Sequence, residues 1–181
     1  NLPRAVIDAA LTAPADVSQS RQGELLWDVG AGAGSVAIEW LLTHPSLSAI
    51  AIERHPTRAE RIGQNAQALG VPHLDIVTGT APEAFADLPP PDVVFIGGGG
   101  SEPGALAALK PGGRLVANAV TLETEAVLLA SYQRWGGSLT RIALSRAVAV
   151  KGMTGWRPAM PVTQWSMVKP MESQEPMENP A

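Results

Sequence analysis

An α/β fold, a mostly parallel sheet with helices on both faces, is predicted by three observations. Apolar strand-like runs alternate with helical stretches along the chain. The runs V-V-F-I and L-V-A-N are continuously apolar, as strands covered on both faces require. Third, the stretch from Glu24 to Trp40, E-L-L-W-D-V-G-A-G-A-G-S-V-A-I-E-W, joins a strand to a helix through a glycine-rich turn.

In chain order, the predicted strands are Leu25 to Val29, Ala49 to Glu53, Leu74 to Thr78, Val93 to Ile96 and Arg114 to Asn118. Ser138 to Val150 and Thr163 to Val168 then form a closing antiparallel pair, for six or seven strands in all. Thr57 with Glu60 is read as a capping box opening a helix with Ala59, Ile62, Ala66 and Leu69 on its apolar face, and Gly70 stops it. Thr80 with Glu83 reads as a second capping box. Only Ser101 to Lys110 is available for the crossover before the Pro111-Gly112-Gly113 turn, so that helix must be short. A further helix begins near Leu122. Residues 170–181, rich in Pro, Glu, Met and Asn without periodicity, read as a disordered tail, and residues 1–23 as an N-terminal segment ahead of a domain at 24–169.

The 181 residues, 45% hydrophobic with mean hydropathy +0.08, suit one water-soluble domain with a full core. The absence of cysteine excludes disulfides, thiolate metal sites and cysteine nucleophiles, and no leader or long apolar run is seen, so a cytoplasmic location without membrane contact is expected. A net charge of −4 gives no global attraction to nucleic acid and points to small-molecule partners. His44, His55 and His73 lie near segment ends without metal-ligand spacing, so no metal site is expected. G-x-S-x-G, H-E-x-x-H and Walker loops are missing, against a hydrolase, metalloprotease or NTPase.

Ligands of open parallel sheets collect at the carboxyl ends of the strands. There, Gly30, Ala31, Gly32, Gly34 and Ser35 form a cradle, but the third glycine comes one residue early for a dinucleotide fingerprint, giving D-V-G-x-G-x-G. Glu53 ends the second strand, 19 residues after Gly34, where an acid accepts hydrogen bonds from both ribose hydroxyls of an adenosine cofactor; pairing with Arg54 or Arg58 is the alternative. Asp28 either attracts a ligand ammonium group or braces the turn through backbone N–H groups. Four glycines, Gly97 to Gly100, follow the fourth strand directly and admit close approach of a flat substrate, or form a loop without contacts. Asn118 ends the fifth strand, where it orients substrate polar groups with Thr121 and Glu123, or capping of the next helix explains the group. Trp156 and Arg157, in the G-M-T-G-W-R-P stretch, either meet a planar acidic ligand or pack in a hairpin.

The D-V-G-x-G-x-G loop resembles the first motif of class I S-adenosylmethionine-dependent methyltransferases, and K-P-G-G-R before the fifth strand resembles their L-x-P-G-G turn. With A-I-E-R through Arg54, G-T-A-P-E-A from Gly79, V-F-I-G-G-G-G to Gly100 and R-L-V-A-N-A-V-T-L-E-T-E from Arg114, residues 24–168 resemble the precorrin methyltransferases of cobalamin biosynthesis, in particular their decarboxylating C15-methylating branch. The Thr-Lys stretch usual at that family's N-terminus is absent from residues 1–22.

The resemblance implies a Rossmann-like class I methyltransferase fold with a seven-stranded sheet. It implies S-adenosylmethionine as cofactor, held by Asp28, Gly30, Ala31, Gly32, Gly34, Ser35, Glu53, Arg54, Thr80, Ala81 and Gly97, with Asp28 facing the methionine portion and Thr80 and Ala81 the adenine. Gly98, Gly99 and Asn118 would serve the reacting centre. It further implies a tetrapyrrole substrate, methylation at C15 with loss of the C12 acetate carboxylate, homo-oligomers, and fusion or association with a C5-methylating domain. Arg54, Arg58, Lys151 and Arg157 are candidates for the substrate carboxylates. Two other readings share the fold: a methyltransferase acting on RNA or another small molecule, though the chain lacks an N-P-P-Y-type loop and a basic stripe, and a nucleotide-binding module without turnover, such as one holding NAD through Glu53.

Overall fold

The computed structural model describes residues 20–97 and 102–171. Seven strands form one sheet: β1 (Leu25–Val29), β2 (Ser48–Glu53), β3 (Asp75–Thr78), β4 (Val93–Ile96), β5 (Arg114–Ala119), β6 (Ser138–Ile142) and β9 (Val162–Val168). Their spatial order is β3-β2-β1-β4-β5-β9-β6. All neighbours are parallel up to β5, whereas β9 runs antiparallel to both β5 and β6. The chain thus starts in the middle, builds outward to β3, then crosses back past β1 to β4. That reversal opens a crevice at the carboxyl ends of β1 and β4.

Apolar side chains on both faces of β1, β2, β4 and β5 explain why their sequences show no alternation. On one face Leu26, Ala51, Phe95 and Val116 meet α1 (Ser35–Thr43) and α2 (Pro56–Ala68) through Ala37, Trp40, Leu41, Ile62 and Ala66. On the other, Trp27, Ile52, Ile96, Leu115 and Trp165 meet Ala105 and Leu106 of α3 (Glu102–Ala108) and Leu128 of α4 (Leu122–Trp135). The Trp27 and Phe85 rings lie 5.0 Å apart at 32°. Truncating a buried ring such as Trp27 costs about 3 to 5 kcal/mol.

The predicted strand Ser138 to Val150 is two strands. β6 ends at Ile142, and β7 (Ser145–Val150) leaves the sheet to pair with β8 (Met153–Pro158) in a separate hairpin. Lys151 and Gly152, at φ 46° and 83°, make its two-residue turn, in which both residues take the left-handed backbone that such tight hairpins need. Trp156 and Arg157 accordingly sit in β8, with Trp156 76% exposed.

Neither predicted capping box forms. Pro56 occupies the first position of α2, where its fixed φ is favourable, so His55 becomes the cap residue and Thr57 falls inside the helix. The turn after β3 is a single 3-10 turn, Glu83–Phe85, preceded by Pro82 and without a side-chain cap. Gly70 does terminate α2, at φ 83° with its N–H on Gln67 O. The crossover helix α3 is short, as the span before the Pro-Gly-Gly turn demands. Glu24 and Arg114 form a bidentate ion pair, both distances 2.7 Å, closing the sheet end opposite the crevice.

Candidate functional site

The crevice holds two lobes, of about 390 Å³ and about 480 Å³, that share Gly30, Arg58 and Gly97 in their walls. The glycine turn after β1 builds the first lobe. Gly30 and Ala31 donate to Ile52 O at 2.9 and 3.2 Å, tying the turn to β2, and Gly34 N–H closes it on Ala31 O at 2.8 Å. The glycines differ in purpose. A Cβ on Gly34 would lie 2.7 Å from Ile62 Cγ2, so its absence lets α2 pack against the turn. A Cβ on Gly32 would meet nothing nearer than Gly30 O at 3.9 Å; this residue, at φ 62°, lines the lobe and leaves room for a ligand.

Asp28 lies in the wall of the first lobe, 1% exposed. Helix α1 follows Gly34, which has no side chain to cap it, and Asp28 Oδ2 accepts from Ala37 N–H at 3.1 Å instead. Burial pushes its pKa up to about 7; the Ala37 N–H opposes that change and the nearby Glu53 charge adds to it. A cation entering this lobe would stabilise the ionised carboxylate. The carboxylate thus braces the first turn of α1 rather than the glycine turn expected from the sequence, and it also lines the first lobe.

Glu53, 3% exposed, is a wall residue of the second lobe. Its Oε2 accepts from Gly32 N–H at 2.9 Å and its Oε1 from His55 N–H at 3.0 Å. Among the described residues it makes no ion pair with Arg54 or Arg58. Each carboxylate oxygen keeps acceptor capacity, so the residue can hold the loop and take two hydroxyl donors together. Arg54 lines this lobe with its Nε on His55 Nε2 at 3.2 Å. Thr80 and Ala81 line it too, beside Ile52, which gives a planar base an apolar bed with a hydroxyl at its edge. An adenosine fits this donor and acceptor set.

Gly97 donates to Val29 O at 3.0 Å, and a Cβ there would come 3.1 Å from Gly30 O, so the ends of β1 and β4 touch closely. Gly98 and Gly99 lie outside the described residues. Asn118 lines neither lobe: it is 1% exposed, and its Oδ1 accepts from Gln164 Nε2 across the β5–β9 pair at 3.1 Å. Among the described residues its Nδ2 has no hydrogen-bond partner. Thr121 both caps α4, accepting from Thr124 N–H at 3.3 Å, and lines the second lobe with Thr124 and Val120. Arg61 of α2, which the sequence did not single out, lines the first lobe with Arg58. Lys151 and Arg157, on the hairpin, line neither lobe. Among the described residues no group of three or more His, Cys, Asp or Glu is placed to hold a metal ion, and no helix is long and apolar enough to cross a membrane.

Comparison with known proteins agrees with this architecture. A family model described as "Precorrin methyltransferase domain" matches residues 4–169, further toward the N-terminus than the residues 24–168 that carry the resemblance. A precorrin-6Y C(5,15)-methyltransferase (decarboxylating) from Sinorhizobium sp is 61% identical over 153 residues, 82% of this chain and 37% of that protein. The cobalt-precorrin-6B C(15)-methyltransferase (decarboxylating) of Salmonella typhimurium is 44% identical over 96 residues, 50% of this chain and 49% of its own length. Among solved structures, the C-terminal domain of precorrin-6Y C5,15-methyltransferase from Rhodobacter capsulatus superimposes with a TM-score of 0.79 at 45% identity, covering 92% of this chain and 88% of that one. The chain spans under half the length of these curated relatives. On its fold, its glycine-turn cleft and the extent of the family match, the chain belongs to the precorrin methyltransferase domain family.

Proposed function

We propose that this chain is an S-adenosylmethionine-dependent C-methyltransferase that methylates C15 of a precorrin and removes the carboxylate of its C12 acetate. The observation that carries the reading is the cleft itself: a buried acid at the end of β2 bonded to the glycine turn, a second buried acid at the end of β1, and a side-chain-free seam at Gly30 and Gly97, all at one switch point. The names of the relatives support the substrate class.

S-adenosylmethionine supplies an electrophilic methyl group on a sulfonium. Glu53 would hold the ribose hydroxyls, Thr80 and Ala81 the adenine, and Asp28 with the turn the amino-acid end. A meso carbon of a reduced tetrapyrrole is enamine-like and already nucleophilic, so the protein's task is alignment and exclusion of water; no strong base is needed. Gly97 lets the acceptor approach the strand end without a side chain between. For the decarboxylation, the acetate C–C bond breaks, its electron pair enters the neighbouring imine of the ring, and carbon dioxide leaves; burial of the carboxylate away from water favours the step. Homo-oligomerisation and association with a C5-methylating domain belong to the same proposal.

The test is incubation of the purified chain with S-adenosylmethionine and cobalt-precorrin-6B, the substrate in the name of the Salmonella typhimurium relative, followed by mass spectrometry. The reading expects a product heavier by one methylene and lighter by carbon dioxide, with S-adenosylhomocysteine formed in equal amount. Recovery of unaltered tetrapyrrole with intact cofactor bound would refute it.

A further inference from the structure

Resting on the methyltransferase reading, we infer that Arg58 and Arg61 are a carboxylate-docking pair of the first lobe, the charged contact through which an anionic ligand group is fixed at the mouth of the cleft. They lie three residues apart on α2 and so share a face, and both line the cavity that also holds the glycine turn. Among the described residues neither side chain makes an ion pair or hydrogen bond. Several other cations are engaged elsewhere: Lys110 pairs with Asp92, Arg114 with Glu24 and Arg141 with Glu125, and Lys169 binds three carbonyls at the C-terminal end of α3, while Arg146, Lys151 and Arg157 lie on the hairpin, outside both lobes.

Helix stability does not explain the placement. Arg58 sits in the first turn of α2, a turn without any acid, where the helix dipole disfavours a cation. The first turn of α1, whose Ser35 and Val36 line the same lobe, also lacks an acid. Positive potential is thus concentrated here in a chain whose net charge is −4. Asp28 is the one acid among the described residues of this lobe, and it is buried while both arginines are exposed. An acid in the wall and two guanidinium groups at the rim suit a ligand carrying a carboxylate, and arginine is the side chain that binds one through two parallel N–H bonds. Two ligands of the proposed reaction carry carboxylates: the amino-acid end of the cofactor and the acetate and propionate groups of the tetrapyrrole.

The experiment compares wild type with the R58Q/R61Q double variant by calorimetry. The probes are S-adenosylhomocysteine, 5′-methylthioadenosine, which has the same nucleoside but no carboxylate, and the polycarboxylated porphyrin uroporphyrin. R146Q, in β7 of the hairpin, controls for the loss of surface charge, and circular dichroism confirms folding. About tenfold weaker binding per arginine is expected for the ligand whose carboxylate docks there. Weaker S-adenosylhomocysteine with unchanged methylthioadenosine supports the pair as the cofactor's partner; weaker uroporphyrin alone supports it as the substrate's. Unchanged affinity for all three, an equal loss for methylthioadenosine and S-adenosylhomocysteine, or a wild type that binds none of them overturns the pair. A wild type that ignores S-adenosylhomocysteine but binds uroporphyrin through the arginines would sink the cofactor reading and leave the pair standing.

Discussion

Replacing Glu53 separates its observed task, bracing the glycine turn, from the proposed one, receiving a ribose. In Glu53→Ala the Gly32 and His55 N–H groups lose acceptors at 2.9 and 3.0 Å. Hydrogen bonds to a charged group contribute about 1.5 to 3 kcal/mol each, and the lower end applies to these partly buried donors. The variant should lose about 3 kcal/mol of stability, a fall in Tm of about 6 to 12 °C for a chain of this length. Two ribose hydroxyl bonds lost at the same strength weaken S-adenosylhomocysteine about 100-fold. Glu53→Gln keeps one carbonyl acceptor, so it should lose about half the stability and about tenfold in affinity. Because the ribose is common to both ligands, 5′-methylthioadenosine should weaken by the same factor as S-adenosylhomocysteine in calorimetric titrations. A variant that is destabilised yet binds both ligands as wild type does would show that Glu53 only braces the turn, and would refute the ribose assignment.

Asp28 makes stability depend on pH. Its pKa rises from 3.8 to about 7 on folding, so the folded chain holds the proton more tightly, and stability falls as pH climbs from about 4 through 7, then levels; the full change corresponds to about 4 kcal/mol. Urea denaturation between pH 5 and 8 should show this decline, and Asp28→Asn, which keeps an oxygen for Ala37 N–H, should remove it; an unchanged slope would contradict the assignment. Arg114→Met leaves Glu24 buried without its bidentate partner and should cost about 3 to 5 kcal/mol, read as a lower denaturation midpoint. Gly34→Ala combines φ 78° with a 2.7 Å approach to Ile62 Cγ2 and should cost about 2 to 4 kcal/mol, with Ile62→Ala in the same chain relieving the clash but not the backbone strain. A fully stable Gly34→Ala protein would show that the turn is looser than its contacts indicate.

The central strands were legible because they are covered on both faces, so their composition alone marks them. The β6–β7 break was not: residues Ala143 and Leu144 carry no glycine or proline, and the exposed hairpin imposes no apolar pattern on its strands. Capping failed at Thr57 because Pro56, one residue earlier, is the better helix opener, and at Thr80 because the helix there is a single turn. In the site, Glu53 and Asp28 could be placed from strand ends, whereas Asp28's real partner, Ala37, depends on how α1 leaves the turn. The Glu24–Arg114 pair spans 90 residues and no local spacing announces it. Arg61 required knowing that Ile62 and Ala66 face the sheet, which turns the neighbouring stripe of α2 toward the cleft.

The most direct measurement is calorimetric titration of the unaltered chain with S-adenosylhomocysteine, with NAD as the parallel ligand. Saturable micromolar binding of S-adenosylhomocysteine and no binding of NAD is the predicted result, because Gly32, Glu53 and Asp28 line a cleft that would accept a nucleoside with an amino-acid arm and the third glycine falls at Gly34. Binding of NAD in place of S-adenosylhomocysteine would contradict the account.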